Sequence, residues 1–220
     1  ETAFTTDRAL DFIDGLSAAD KWCLHLSYIK PHWPYLAPAP YHDCFGPEQV
    51  ISAVRCDSER HNPHPVYQAF MAQDYSENFS RNEVRQTVIP TYMGLIQQLD
   101  NHIGRVLAKL DEKGLRENTL VVLTSDHGDY LGDHWLGEKD LHHDPSIRIP
   151  LIISDPSDAA DSTRGSRSDA LVEAIDLVPT LTEYAGAKGC SERLEGCSLA
   201  PLIQGGLASE SWRDYIISEI

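Results

Sequence analysis

The residues best suited to chemistry are Asp126 and His127, side by side in Thr124-Ser125-Asp126-His127-Gly128. A carboxylate oxygen and an imidazole nitrogen together suit a divalent cation. The pair follows directly on Leu120-Val121-Val122-Leu123-Thr124, a short continuous apolar run of the kind that forms a central strand buried on both faces. Ligands of open α/β sheets sit outside the carboxyl ends of strands, so the placement is right for a site. Gly128 is expected to let the backbone turn sharply and both side chains point forward. A bare Asp-His-Gly is a weak signal. Its surroundings strengthen it: the chain continues through Asp129, Gly132-Asp133-His134 and Glu138 to Lys139, and Ser146-Ile147-Arg148-Ile149-Pro150 then enters another apolar run. The other histidines promise less. His25, inside a strand-like run, reads as a core histidine, and His61 and His64 as solvated loop residues. His134 is expected to cap or hydrogen-bond within its own loop. His142 and His143 are neighbours without an evident third ligand.

Elements able to position these residues alternate along the chain. Trp22 to Ile29 is apolar, aromatic-rich and halted by Lys30-Pro31, which predicts a strand with Cys23 as a small buried hydrophobe. Pro31 to Pro47 is proline-dense and without period, hence loop, as is the polar stretch from Arg55 to Pro65. Ser80-Arg81-Asn82-Glu83 fits a capping box. Behind it Val84, Val88, Tyr92, Leu95, Leu99, Ile103, Val106 and Leu110 recur every three or four residues, the stripe of a core-facing helix. Pro90 either kinks this helix or marks its first turn, and Lys113-Gly114 closes it. Pro150 to Ser154 predicts a second strand, Asp176-Leu177-Val178-Pro179 a helix start with Asp176 as N-cap, and Tyr215 to Ile220 the beginning of a further strand. Strands alternating with helices indicate an α/β sheet with mainly parallel strands.

Composition bounds the function. With 220 residues, 41% hydrophobic and 24% charged, the chain can bury a real core. A net charge of −16 argues against nucleic acid and anionic membranes, which need surplus Lys and Arg. No apolar stretch approaches a membrane span and no signal peptide opens the sequence. Five cysteines without a CxxC pair suggest neither a zinc knuckle nor a redox motif. Cys190 and Cys197 suit a loop bridge in an oxidising compartment, but reduced thiols in a cytoplasm are the expectation. The abrupt ends, without an initiator Met, read as cuts through a larger protein.

The block from Ser125 to Ile153 resembles the signature of the sulfatase and phosphonate monoester hydrolase family of the alkaline phosphatase superfamily, in which Ser-Asp-His-Gly precedes Gly-Asp-His, a lysine and an Arg-x-Pro strand entry. Pro31-His32-Trp33-Pro34 resembles the family's Pro-His-x-Pro loop. The helix from Asp100 to Leu110, Asn118 to Val122 and Asp176 to Leu181 run in family order, so that the likeness spans most of residues 20 to 200. Asp144 to Pro150 looks most like phosphonate monoester hydrolases. The resemblance implies part of an alkaline phosphatase-like α/β sandwich, a mainly parallel sheet flanked by helices, over residues 1–220. It implies hydrolysis of a small anionic sulfate, phosphonate or phosphate ester with one divalent metal (Ca²⁺, Mn²⁺ or Mg²⁺), and it leaves a homo-oligomer possible. Asp126 and His127 would ligate the metal, Lys139 would contact an anionic oxygen of substrate or nucleophile, and His32 would donate a hydrogen bond or proton near the substrate or leaving group. The family's nucleophile, a Ser or a Cys oxidised to formylglycine in Cys/Ser-x-Pro-x-Arg, is absent from this sequence, as are the family's first metal-binding aspartates. These residues alone are therefore expected to turn over nothing. A phosphodiesterase or phosphotransferase of the same superfamily would need further His and Asp ligands, and a non-catalytic binding protein retaining the fold differs only in sequence lying outside this chain.

Overall fold

A computed structural model describes residues 1–187, 193–206 and 212–218. They form two compact units, residues 1–116 with 127–148 and residues 117–126 with 149–220, and the chain changes unit at the Asp126–His127 peptide bond.

The first unit is helical. In chain order it holds α1 (Thr2–Asp14), α2 (Pro65–Met71), α3 (Asp74–Phe79), α4 (Asn82–Glu112) and α5 (Asp144–Ile147). The predicted stripe runs down α4 and faces inward: Leu95 is fully buried, Leu110 nearly so, and α1 packs along the same helix through Ala9 and Ile13. Burying one such leucine is worth roughly 2 kcal/mol. Pro90 lies inside the helix, not in its first turn, so the stripe is one element. Its end follows the sequence closely. Gly114 adopts φ +65°, its N–H reaches the Asp111 carbonyl (3.0 Å) and the Leu115 N–H the Leu110 carbonyl (2.9 Å), a Schellman closure. Its start does not. Ser80 terminates α3 and spends its hydroxyl on the Glu77 carbonyl (2.7 Å), so Arg81 takes the N-cap position without a side-chain cap.

Residues 22–29 are extended but join no ladder among the described residues. Burial alternates strictly, as a strand requires: Trp22, Leu24, Leu26 and Tyr28 are half-buried, and Cys23, His25, Ser27 and Ile29 exposed. Cys23 is thus no core hydrophobe and His25 no core histidine, because both fall on the outward phase of the period.

The second unit holds β1 (Val121–Thr124), β2 (Leu151–Ser154), α6 (Leu177–Tyr184) and α7 (Ala200–Ile203). The strands stand where the apolar runs placed them, but they pair antiparallel, Val121 opposite Ser154 and Thr124 opposite Leu151. No crossover helix separates them within this unit, so the returning chain enters beside the end of β1 and must run backwards. The pair is also less enclosed than expected of a central strand, with Thr124 and Ile152 exposed. Asp176 does stand at the N-cap of α6, but its side chain caps nothing there. Fully buried, it accepts from the Glu173 and Cys197 N–H groups (both 2.8 Å) and pairs with Arg213 (2.6 Å). Residues 215–218 form no strand; 219–220 and Cys190 lie outside the described residues. Cys23, Cys44, Cys56 and Cys197 are free and exposed. Among the described residues no helix is long and apolar enough to cross a membrane.

Candidate active site

The first unit brings together three predicted residues, two of them far from the third in sequence. Lys139 Nζ stands 3.0 Å from His32 Nε2, and the His32 ring meets the His127 ring edge-on at 5.8 Å. Hydrogen-bond roles here follow from chemistry. His32 Nδ1 is 3.0 Å from the Trp33 carbonyl, which can only accept, so Nδ1 carries the proton and Nε2 the lone pair. Lys139 therefore donates to His32, and in this arrangement the ammonium, not the imidazole, is the donor of the pair. Glu138 lies 3.4 Å from the same ammonium and offsets its charge.

The same reasoning fixes His127. Its Nδ1 lies 2.7 Å from the Gly128 carbonyl and must donate to it, which puts the lone pair of the neutral ring on Nε2. Tethering one ring nitrogen to a carbonyl is how proteins orient a metal-ligating imidazole. Asp126, the last residue of its segment of the second unit, offers an exposed carboxylate. A hard oxygen and an imidazole nitrogen fit a divalent cation. They are two donors where Ca²⁺ takes about six or more, and no cluster of three or more His, Cys, Asp or Glu suited to a metal ion occurs among the described residues.

Gly128 does not work as expected. Its φ is not positive; the requirement is close approach. Its N–H bonds the Ser146 carbonyl at 2.7 Å, and a Cβ there would lie 1.9 Å from the Pro145 carbonyl oxygen. Beyond it the loop is tied down by residues that sequence reasoning left without a role. Asp129 accepts from the Tyr35 hydroxyl (2.7 Å) and the Leu131 N–H (3.1 Å), which fastens the loop bearing His32 to the loop bearing Lys139. Burial raises the Asp129 carboxyl above the usual carboxylate range, the two hydrogen bonds opposing it, and burial with the Asp129 charge raises the Tyr35 phenol. Gly132 turns at φ +100° against the buried Arg85, whose guanidinium donates to the Leu131 and Ile51 carbonyls (both 3.0 Å).

His134 bonds outside its loop, not within it. Its Nδ1 pairs with Glu59 at 2.8 Å, its N–H with the Val54 carbonyl at 2.8 Å, and its ring stacks on His143 at 4.2 Å. His143 is held in turn by the Tyr130 hydroxyl at 2.8 Å. Burial, then the neighbouring His134, depresses the His143 pKa below that of a free imidazole. Its contribution to stability is thus complete above pH about 6.5 and is lost as pH falls through the folded-state value. We expect the melting temperature to drop between pH 7.5 and pH 5, and His143→Asn to shrink that drop; an unchanged pH slope in the variant would show the effect lies elsewhere.

An alkaline phosphatase-like α/β fold with this loop order defines a class, and the comparisons agree: the sulfatase family model matches residues 1–187, so the chain belongs to the sulfatase family. Among its relatives is the multifunctional alkaline phosphatase superfamily protein PehA of Trinickia caryophylli, 34% identical across 97% of this chain and 43% of that protein. An arylsulfatase of Clostridium perfringens is 28% identical across 99% of the chain and 44% of its own length. The phosphonate monoester hydrolase SpPMH of Silicibacter pomeroyi superposes with a TM-score of 0.84 at 33% identity, over 97% of this chain and 43% of that one. The chain spans well under half the length of these relatives.

Proposed function

We propose that the chain supplies the metal- and leaving-group side of a metal-dependent hydrolase of sulfate or phosphonate esters, with the nucleophile carried by sequence outside these 220 residues. The observation that carries this reading is the approach of Lys139 to His32 across 107 positions, with the His127 ring against the latter. A family sulfatase or phosphonate hydrolase needs cationic and hydrogen-bonding groups converging where negative charge gathers, and these residues converge.

Asp126 and His127 would hold the divalent cation, which supplies charge stabilisation to the ester oxygens. Lys139, already donating to a lone pair at His32 Nε2, would donate instead to a substrate oxygen occupying that position, which cancels part of the developing charge. His32, fixed by its Nδ1 bond to the Trp33 carbonyl, presents Nε2 toward the same oxygen and hands over a proton once protonated. The ester is small and anionic; the chain's own charge of −16 makes the local cations the selective element.

The test is direct. The 220-residue protein should release no product from 4-nitrophenyl sulfate or from an aryl phosphonate, whereas a protein that joins it to a segment bearing the Cys/Ser-x-Pro-x-Arg nucleophile should hydrolyse at least one. A chelator should abolish that activity and a divalent metal restore it. Turnover by the 220 residues alone, or chelator-insensitive hydrolysis by the joined protein, would overturn the assignment.

A further inference from the structure

Among the described residues, side chains held at positive φ gather in one loop: Leu131 (+46°), His134 (+53°), Trp135 (+63°), Glu138 (+60°) and Asp140 (+103°), with Asn62 alone lying elsewhere. L residues enter this region against a steric penalty that glycine escapes. Lys139 has such a residue on each side. The backbone at Glu138 is set by the surrounding fold, not by the glutamate side chain. Its carbonyl accepts from the Tyr130 N–H (2.8 Å), and the preceding Gly137 N–H donates to the hydroxyl of the fully buried Ser76 (3.1 Å). Gly137 itself has no room for a Cβ, which would lie 2.9 Å from the Tyr75 carbonyl oxygen. A glycine in place of Glu138 would therefore keep the same path with less strain.

What the glutamate adds is its carboxylate. The side chain is only 18% exposed, and its Oε2 accepts from Lys139 Nζ at 3.4 Å, while the same Nζ donates to His32 Nε2 at 3.0 Å. Once a substrate oxygen replaces His32 as the acceptor, Glu138 is the contact that still holds the ammonium. A flexible four-carbon stem needs such a hold to present a point charge in one place. Two effects weigh against a glutamate here: the left-handed backbone, and repulsion between a carboxylate and an anionic ester bound at the neighbouring lysine. Strain kept at a reacting site by an over-determined backbone is the mark of a residue retained for its task.

We propose that Glu138 is a positioning residue, held in a left-handed conformation so that its carboxylate fixes the Lys139 ammonium where the reacting oxygen arrives. This rests on the assignment of Lys139 to the reacting end.

The experiment replaces Glu138 in the catalytically competent protein and follows melting temperature, kcat and KM together. Glu138→Gly should raise the melting temperature by about 2 °C, since the strain is relieved. It should lower kcat about tenfold, since the ammonium is no longer aimed. KM should stay level or fall, because a negative charge beside the anion has gone. A merely structural residue would move the other way, with melting temperature down and KM up. Glu138→Gln, which keeps an acceptor of the same length, should recover part of the loss in kcat. Asp140→Gly relaxes the same loop on the other side of Lys139 and should leave kcat within about threefold. In a Lys139→Ala background Glu138→Gly should slow the reaction no further, as expected of two groups acting as one. A tenfold loss from Asp140→Gly, or a further loss from Glu138→Gly in the absence of the lysine, would overturn the proposal. Full loss for Lys139→Ala with none for Glu138→Gly would sink this inference alone. No loss for Lys139→Ala would sink the assignment of the reacting end, and this inference with it.

Discussion

Lys139→Ala in the catalytically competent protein is expected to lower kcat about 10²- to 10³-fold while changing KM little, the usual loss when one preorganised donor to a developing charge is removed. The expectation follows from position: the ammonium is half-enclosed, held 3.0 Å from His32 Nε2 and paired with Glu138 at 3.4 Å, so it is not a solvated surface lysine. Lys139→Arg should not rescue, because a planar guanidinium cannot occupy the point position of an ammonium beside an imidazole. His32→Ala should cost less than Lys139→Ala, and the double variant little more than the worse single one, since the two groups act on one oxygen. Initial rates on a sulfate ester decide the matter. A loss under about threefold for Lys139→Ala would remove the lysine from the machinery.

Gly128→Ala is the largest stability effect we expect. A methyl group 1.9 Å from the Pro145 carbonyl oxygen and 3.0 Å from its carbon meets backbone, which cannot swing aside as a flexible side chain would. The Gly128 N–H bond to the Ser146 carbonyl (2.7 Å) holds the two segments at that spacing. Relief requires the two loop segments to part, at about 3 kcal/mol, or a fall in melting temperature of about 6–12 °C for a domain of this size. Gly104, on the exposed face of α4, is the internal control: a methyl group there would meet nothing within 4 Å. Alanine at that position should raise stability by about 0.5–1 kcal/mol, because it removes only backbone freedom. Calorimetry on the two variants separates the cases; comparable melting temperatures for both would show that the close approach is not a real constraint.

What could be read from residues alone divides along physical lines. Periodic signals survived: the three-and-four stripe of α4, its Lys113-Gly114 ending and the two apolar strands all stand where the pattern put them. His32 and Lys139, singled out through family likeness and not through any local rule, stand side by side. Local capping rules failed where a neighbouring element had a prior claim. Ser80 belongs to α3 before it can belong to α4, and Asp176 turns its carboxylate to Arg213 and two amides. The ties between loops were illegible, since Tyr35 with Asp129 spans 94 positions and Glu59 with His134 spans 75. Nothing in composition or spacing links such residues. Only the fold does.

The extended run from Trp22 to Ile29 carries a practical consequence. It displays an alternating side-chain pattern and a main chain that no neighbouring strand sheathes among the described residues. Wherever sequence outside these residues leaves it uncovered, such a row of amides and carbonyls is a template for pairing with an extended peptide, a second molecule of the same kind included. Lys21 and Lys30 at its two ends and the molecule's mutual repulsion at low ionic strength are the brakes. Concentrated, salty solutions loosen the second of these and favour sticking over solubility.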